Sequence, residues 1–137
     1  MLVILLKIDK LSQKQLLTLK WWNLKKYSSY DAIICDGAIR SGKTVSMSLG
    51  FILWAMCKFK NGTFALCGKT VTSLRRNVIT PLLETLNGLN FTCYEKVSKN
   101  YFDVSICGIS NRFYLFGGKD EGSSALIQGI TLCGVFF

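Results

Sequence analysis

The 137-residue chain has no histidine, one proline and only eight acidic residues, against 17 lysines and arginines. Without histidine, the serine–histidine and cysteine–histidine pairs of nucleophilic hydrolases are excluded. None of the six cysteines forms a C-x-x-C pair, so the common zinc-site spacings are also missing. Cys35, Cys67 and Cys133 lie in apolar, strand-like runs. Reduced cysteines pack there as small hydrophobic residues, which indicates a reducing compartment.

Long apolar runs are missing as well. Met1–Leu6 is too short for the core of a signal peptide, and Val45–Phe59 is interrupted by serines and falls short of the ~18 residues that span a bilayer. We therefore expect no membrane segment. Half of the residues are nevertheless apolar, which is enough for a buried core. The net charge of +9 suits a polyanionic partner such as DNA.

One octapeptide carries recognisable chemistry. Residues 37–44 read GAIRSGKT and fit G-x-x-x-x-G-K-[ST], the phosphate-binding loop of nucleoside triphosphatases. In such a loop the glycines allow the backbone N–H groups to turn toward a polyphosphate, the lysine contacts the β- and γ-phosphates, and the last hydroxyl binds Mg²⁺. The pattern predicts nucleotide binding by Gly37, Ala38, Ile39, Arg40, Ser41, Gly42, Lys43 and Thr44, with Thr44 as the magnesium residue.

The sequence around the loop predicts an α/β fold. A short apolar run, Ala32–Cys35, indicates a buried strand before the loop, and Val45–Lys58 indicates a helix after it. Strands alternating with helices favour a mainly parallel sheet covered on both faces, with ligands at the carboxyl ends of the strands. Further helices are expected over 11–25, 70–86 and 123–128. Pro81 predicts a kink or a break in the second of these helices, near Thr80. Further strands are expected over 63–67, 91–94, 101–106, 112–116 and 132–137.

Two groups of residues upstream and downstream of the loop allow two interpretations each. Gln15 either completes an S-x-x-Q capping box with Ser12 or offers its amide to the edge of an adenine. Arg75 and Arg76 either contact DNA or a neighbouring subunit, or form a solvated basic face, which is the favoured interpretation.

Hydrolysis of ATP normally needs acidic residues at the end of a buried strand, to hold Mg²⁺ and to orient water. Asp120 and Glu121 are one candidate pair, but Gly117–Lys119 separates them from the apolar run before them. We favour the alternative that the acids follow Phe137, because Leu132–Phe137 has the composition of the strand that precedes them.

With these features in view, the chain resembles the N-terminal ATPase part of the large terminase subunit of tailed phages. The segments GAIRSGKT (37–44), GKTVTSLRRNVITPLLETL (68–86) and ALIQGIT (125–131) carry a resemblance that spans about Ile8–Phe137. It implies an ASCE-type P-loop NTPase fold, incomplete at its C-terminus, with residues 1–137 forming the N-terminal part of the ATPase domain and with the nuclease domain absent.

The resemblance also implies roles and partners. Gln15 would contact adenine, Lys43 and Thr44 would hold phosphate and Mg²⁺, and Arg40 would be a catalytic positive group near the γ-phosphate. The ligands would be ATP and Mg²⁺. Double-stranded DNA, portal protein, the small terminase subunit and further copies of the chain would be partners in the cytoplasm of a bacterial host. A helicase- or recombinase-like ATPase and a non-catalytic nucleotide-binding module are the alternative functions.

Overall fold

The computed structural model describes residues 11–38, 41–120 and 122–137. The chain divides after Trp54 into two compact units. The first begins with helix α1, Gln13–Lys20, followed by two 3-10 turns, Trp21–Asn23 and Lys25–Tyr27. The predicted helix over 11–25 was therefore too long. The indole Nε1 of Trp22 donates to the Leu19 carbonyl oxygen at 2.8 Å, which competes with the next α-helical hydrogen bond to that carbonyl.

Helix α2, Lys43–Lys58, confirms the helix predicted after the glycine-rich loop and begins two residues earlier. Its Gly50 lies against the backbone of α1. A Cβ atom at Gly50 would be 2.9 Å from the Thr18 carbonyl oxygen and 3.1 Å from the Leu19 Cα. The glycine thus permits a backbone-to-backbone contact between α1 and α2. No helix in the described ranges is long and apolar enough to cross a membrane.

The strand predicted over Ala32–Cys35 is absent: this segment of the described chain has no regular secondary structure and pairs with no strand. Its apolar side chains are not buried, since Ile33 is 37% exposed and Ile34 is 94% exposed. An apolar run becomes a strand only where a neighbour satisfies its backbone groups, and composition alone does not encode that neighbour.

The second unit is built on a five-stranded sheet whose order is β2-β3-β4-β1-β5. The strands are β1 (Thr63–Gly68), β2 (Thr92–Lys96), β3 (Tyr101–Ile106), β4 (Ile109–Gly117) and β5 (Gly134–Phe136).

The sheet is mixed rather than mainly parallel. Strand β1 is parallel to β4 and β5, whereas β2/β3 and β3/β4 are antiparallel. The links from β2 to β3 and from β3 to β4 are only a few residues long, and links of that length join antiparallel strands. The turn signals in this region were visible in the sequence, but their consequence for strand direction was missed.

Three phenylalanines form the centre of the sheet's core. Phe113 in β4 is in register with Phe64 in β1 on one side and with Phe102 in β3 on the other. The ring centroids are 5.1 Å apart in both pairs, with nearly parallel rings, and all three side chains are fully buried. This row crosses three strands at one level, so it fixes their register through packing.

Helix α3 follows β1 and packs against β1, β2 and β4. It is continuous but not uniform: Val71–Leu74 is α-helical, Arg75–Ile79 is π-helical and Thr80–Gly88 is α-helical. Of the kink or break expected near Thr80, the break does not occur, but the helix is irregular there because the π-helical segment ends directly before Thr80. Pro81 stands in the first turn of the last segment, and the wider π-helical turn before it, closed by the Thr80 N–H to the Arg75 carbonyl, accommodates the missing N–H. A short helix α4, Ser123–Gln128, precedes β5 as predicted.

Asn111 is the buried polar residue that joins the end of α2 to the sheet. Its side-chain oxygen accepts from the Gly62 N–H at 2.7 Å, and its Nδ2 donates to the carbonyl oxygens of Ala55 at 3.1 Å and Phe59 at 3.0 Å. Asn111 is only 2% exposed. Every one of these bonds satisfies a backbone group near the helix end, so a polar residue is stable at this interior position.

Candidate functional site

Gln15 begins the candidate site in the first unit, and its capping-box interpretation is confirmed. The Gln15 N–H donates to Ser12 Oγ at 3.3 Å, and Gln15 Oε1 accepts the Ser12 N–H at 2.8 Å. The two bonds satisfy backbone N–H groups that an α-helix leaves without partners at its start.

The same glutamine also contacts the glycine-rich loop. Its Nε2 donates to the Ser41 carbonyl oxygen at 3.2 Å. The next residue, Gly42, has φ +75, and a Cβ there would lie 2.5 Å from Gln15 Nε2. The left-handed backbone favours glycine at position 42, and the absence of a side chain leaves the space that Gln15 occupies. The sequence indicated a backbone requirement at Gly42 but not this contact.

Lys43, the first residue of α2, folds its ammonium group back over the loop. Its Nζ donates to the carbonyl oxygens of Gly37 and Ala38, the latter at 2.7 Å, and to Ser41 Oγ at 3.3 Å. The structure therefore brings together four of the eight residues predicted for the loop around one positive charge. Ile39 and Arg40 lie outside the described residues, so the predicted role of Arg40 stays a prediction.

The remaining groups at the loop are a hydroxyl and a carboxylate. Thr44 lies in the first turn of α2, next to Lys43. Asp36 precedes the loop, and its Oδ1 accepts the Gly37 N–H at 2.7 Å. Sequence reasoning missed Asp36, although aspartate before glycine is a common pattern for a side chain that bonds the backbone of a turn. The described part of the loop thus carries a lysine and a hydroxyl, with a carboxylate at its entry.

Asp120, one of the candidate magnesium residues, has a structural role in the second unit. The loops after β1 and β4 are joined by bonds from the Gly118 N–H to the Gly68 carbonyl at 2.9 Å and from the Lys119 N–H to the Lys69 carbonyl at 3.1 Å. Asp120 extends this connection.

The Asp120 carboxylate caps the start of α3. Its Oδ2 accepts the Val71 N–H at 2.8 Å. A Cβ on Gly117 would overlap this carboxylate and would lie 2.6 Å from its Cγ, so the glycine leaves the space that Asp120 fills. A negative charge at a helix N-terminus is favourable. Glu121 lies outside the described residues.

Replacement of Asp120 by alanine should lower the free energy of unfolding by about 1 kcal/mol, because the Val71 N–H loses its acceptor and the N-terminus of α3 loses a negative charge, while the Thr70 cap remains. Urea unfolding would measure the change. Asp120→Asn keeps an oxygen acceptor and should lose less. Unchanged stability, together with a loss of Mg²⁺-dependent ATP binding, would instead support a magnesium-binding role.

The two arginines of α3 have different surroundings. Arg75 does not belong to a solvated face: its guanidinium bonds Glu95 Oε1 at 2.8 Å and Asn100 Oδ1 at 3.0 Å, which joins α3 to the segment from β2 to β3. Arg76 is exposed and donates to Asn77 at 3.2 Å, as the favoured interpretation predicted. Arg75 is consequently occupied inside its own unit.

Among the residues that the structure describes, no group of three histidine, cysteine, aspartate or glutamate side chains is placed to hold a metal. The described cysteines carry no disulfide, and burial raises the pKa of the Cys93 thiol to about 11. A thiol of that pKa stays protonated and unreactive at neutral pH. The packing role predicted for three cysteines holds only in part: Cys35 and Cys67 are half-buried, the latter in β1, whereas Cys133 is exposed, so the prediction was wrong for Cys133.

Comparison with solved structures identifies relatives of the chain. The large terminase from a thermophilic bacteriophage, in one crystal form, is 48% identical with a TM-score of 0.91, over 94% of this chain and 32% of that protein. Its complex with ADP is 48% identical with a TM-score of 0.86, over 93% and 31%. Its complex with ATP-gamma-S is 45% identical with a TM-score of 0.85, over 93% and 30%. No protein-family model and no curated protein matches the chain.

These similarities identify first the class of fold and then a kind of protein to which the chain is related. The chain has a mixed α/β sheet flanked by helices, which matches a domain of terminase. At 43–48% identity over nearly its whole length, it is related to the large terminase of a bacteriophage, and the resemblance stated from the sequence is confirmed. The chain spans about a third of the length of the solved terminases that it matches.

Proposed function

We propose that this chain is the ATP-binding part of a viral DNA-packaging motor and that its loop over residues 37–44 is a phosphate-binding loop of the P-loop NTPase class. The observation that carries the proposal is the 48% identity to a large terminase whose solved forms include complexes with ADP and ATP-gamma-S. The position of Lys43 at the start of α2, with its ammonium over the loop, supports it.

The described residues fit a nucleotide with Mg²⁺. The N-terminus of α2 favours a phosphate group, through its unpaired N–H groups and the helix dipole. Lys43 would exchange its loop carbonyls for phosphate oxygens. Thr44, beside it in the first turn, would supply one hydroxyl to Mg²⁺, a cation that prefers oxygen ligands. Mg²⁺ would neutralise phosphate charge during turnover.

The packaging role extends the proposal to partners. In a complete large terminase, ATP turnover would move double-stranded DNA into a procapsid, in an oligomer assembled with portal protein and small terminase subunit in the host cytoplasm. The net charge of +9 is consistent with a DNA partner. The similarity to terminase, rather than a DNA-binding geometry, supports this part of the proposal.

ATP binding by the 137-residue chain, measured by titration calorimetry with Mg²⁺, tests the nucleotide site. DNA-stimulated ATP turnover by a full-length large terminase that carries this sequence tests the packaging role. We expect binding in the first experiment and stimulation by duplex DNA in the second. Binding without any DNA stimulation would favour a nucleotide-binding module instead, and absence of binding would refute the nucleotide site.

A further inference from the structure

The two faces of the sheet differ where β2, β3 and β4 pair. In β3 the burial alternates: Phe102 and Val104 are fully buried, and the residues between and beside them are half-buried. The buried face is the one that α3 covers, because Glu95, in register with Phe102, bonds Arg75 of that helix. The half-buried side chains therefore belong to the opposite face, as in antiparallel sheets with one face on the core and one toward solvent.

This opposite face carries three tyrosines, and we call it the tyrosine face. Its members are Tyr94 and Lys96 of β2, Tyr101 and Asp103 of β3, and Arg112 and Tyr114 of β4. The register places Asp103 between Tyr94 and Arg112. It places Tyr101 between Lys96 and Tyr114. Planar side chains from three strands thus share one surface, and the outermost of them, Tyr94, is 59% exposed.

Arg112 is fixed in the middle of the tyrosine face. Its Nε and Nη2 atoms donate to the two carboxylate oxygens of Asp103 at 2.8 and 2.9 Å, and its Cζ lies 3.9 Å from the centroid of the Tyr101 ring. The Tyr101 ring in turn contacts Tyr114 edge-on, with centroids 5.6 Å apart. The Arg112 side chain nevertheless remains 42% exposed. A guanidinium held in this way presents a flat surface for stacking, and its charge is offset by its carboxylate partner.

The charge around this surface favours an anionic partner. Asp103 is paired with Arg112, and the other acid of these strands, Glu95, lies on the covered face with its own arginine. Lys96 on the tyrosine face and Lys99 in the 3-10 turn after β2 therefore add positive charge that these acids do not offset. Aromatic rings beside basic side chains are the combination that binds single-stranded nucleic acid, since bases stack on the rings and the backbone follows the positive charge.

We propose that the tyrosine face binds single-stranded DNA, with bases stacked on Tyr94 and on the Arg112 guanidinium and with a phosphate beside Lys96. The inference goes beyond the proposed function, in which ATP is the ligand and duplex DNA is moved. It concerns the second unit alone, so it does not depend on the glycine-rich loop. The bases of a duplex are stacked inside the helix, so their faces do not reach the rings and the surface distinguishes unpaired from paired DNA.

Fluorescence anisotropy with a labelled oligothymidylate of about 15 nucleotides measures this binding without ATP. We expect Tyr94→Ala to weaken binding about 5–50-fold, the effect of one lost stacking contact, and Tyr94→Phe to bind within about twofold of the original chain, because it keeps the ring. The matched control is Tyr30→Ala, which removes a tyrosine of similar exposure, 64%, from the first unit. It should change the affinity by no more than about twofold.

Two further probes separate stacking from charge. An abasic oligonucleotide of the same length keeps the phosphates and lacks the bases, and a duplex of that length keeps the bases but hides their faces. Tyr94→Ala should change the affinity for either probe by no more than about twofold. Lys96→Ala should lower the slope of log affinity against log salt for oligothymidylate by about 0.7, as expected for one lost phosphate contact, and Tyr94→Ala should leave that slope unchanged.

Three outcomes would overturn the inference: no binding of oligothymidylate by the original chain, equal weakening by Tyr94→Ala and Tyr30→Ala, or a loss in Tyr94→Ala that is as large for the duplex or the abasic probe as for oligothymidylate. Tyr94→Thr, which keeps a residue suited to a strand, replaces the alanine variant if that variant does not fold. Failure of the proposed function has a different signature. In that case the chain does not bind ATP, while binding of oligothymidylate still depends on Tyr94.

Discussion

Replacement of Lys43 by alanine should weaken ATP binding by about 100-fold or more, to below the range of an ordinary calorimetric titration. Charge-assisted hydrogen bonds from an ammonium to phosphate are among the strongest single polar contacts in proteins. Lys43 Nζ already lies over the loop, bonded to Ala38 and Ser41, so the substitution also removes the group that draws the loop together.

Lys25→Ala is the matched control. Lys25 is exposed in a 3-10 turn of the same unit, and its loss changes the net charge equally. ATP affinity should then change by no more than about twofold, because an exposed charge that is not part of the loop is screened by salt. Equal weakening by the two substitutions would show that affinity follows net charge, and unchanged affinity in Lys43→Ala would refute the nucleotide site at residues 37–44.

Phe113→Ala should lower the free energy of unfolding by about 3–5 kcal/mol, as expected for a large aromatic side chain removed from a rigid core. Its ring stacks on both Phe64 and Phe102, and neither neighbour can move without disturbing its own strand. A domain of this size is usually stable by about 5–15 kcal/mol, so the substitution removes a large share of the total. Urea unfolding followed by circular dichroism measures the loss.

Tyr94→Ala provides the comparison for Phe113, since it removes an aromatic side chain from β2 that is 59% exposed. The expected change is within about 1 kcal/mol. A loss as small as this at Phe113 would show that the phenylalanine row does not organise the sheet. A large loss at Tyr94 would show that β2 is covered in solution.

The sequence predicted the elements of this fold better than their pairing. Strand β3 was predicted with its observed ends, and the helix that begins with Lys43 was predicted to within two residues. Local apolar patterns and turn residues are sufficient for such elements. Strand direction and neighbours depend on contacts between distant residues, so the mixed sheet and the unpaired Ala32–Cys35 segment were not predicted.

The candidate site shows the same division. The motif predicted the loop from residue types at fixed spacing, and the structure brings four of these residues together, whereas Ile39 and Arg40 lie outside the described residues. The contact from Gln15 to Ser41 joins positions 26 residues apart, and the contact from Asp120 to Val71 joins positions 49 apart. No local pattern contains either pair. Asp120 was therefore a plausible magnesium residue in the sequence, although the structure uses its carboxylate to cap a helix.

Under the proposed function, the hydrogen bonds from Lys43 to its own loop would make nucleotide binding an exchange reaction. An arriving phosphate would replace two carbonyl oxygens and a hydroxyl as the partners of the ammonium group. The affinity for phosphate would then reflect the difference between the bonds of Lys43 to phosphate and its bonds to the loop. The loop carbonyls would compete with phosphate for the ammonium group at every phosphate concentration. A substitution that loosens the loop would thus have two opposed effects. It would free the Lys43 ammonium for phosphate, and it would disturb the backbone N–H groups that surround the phosphate.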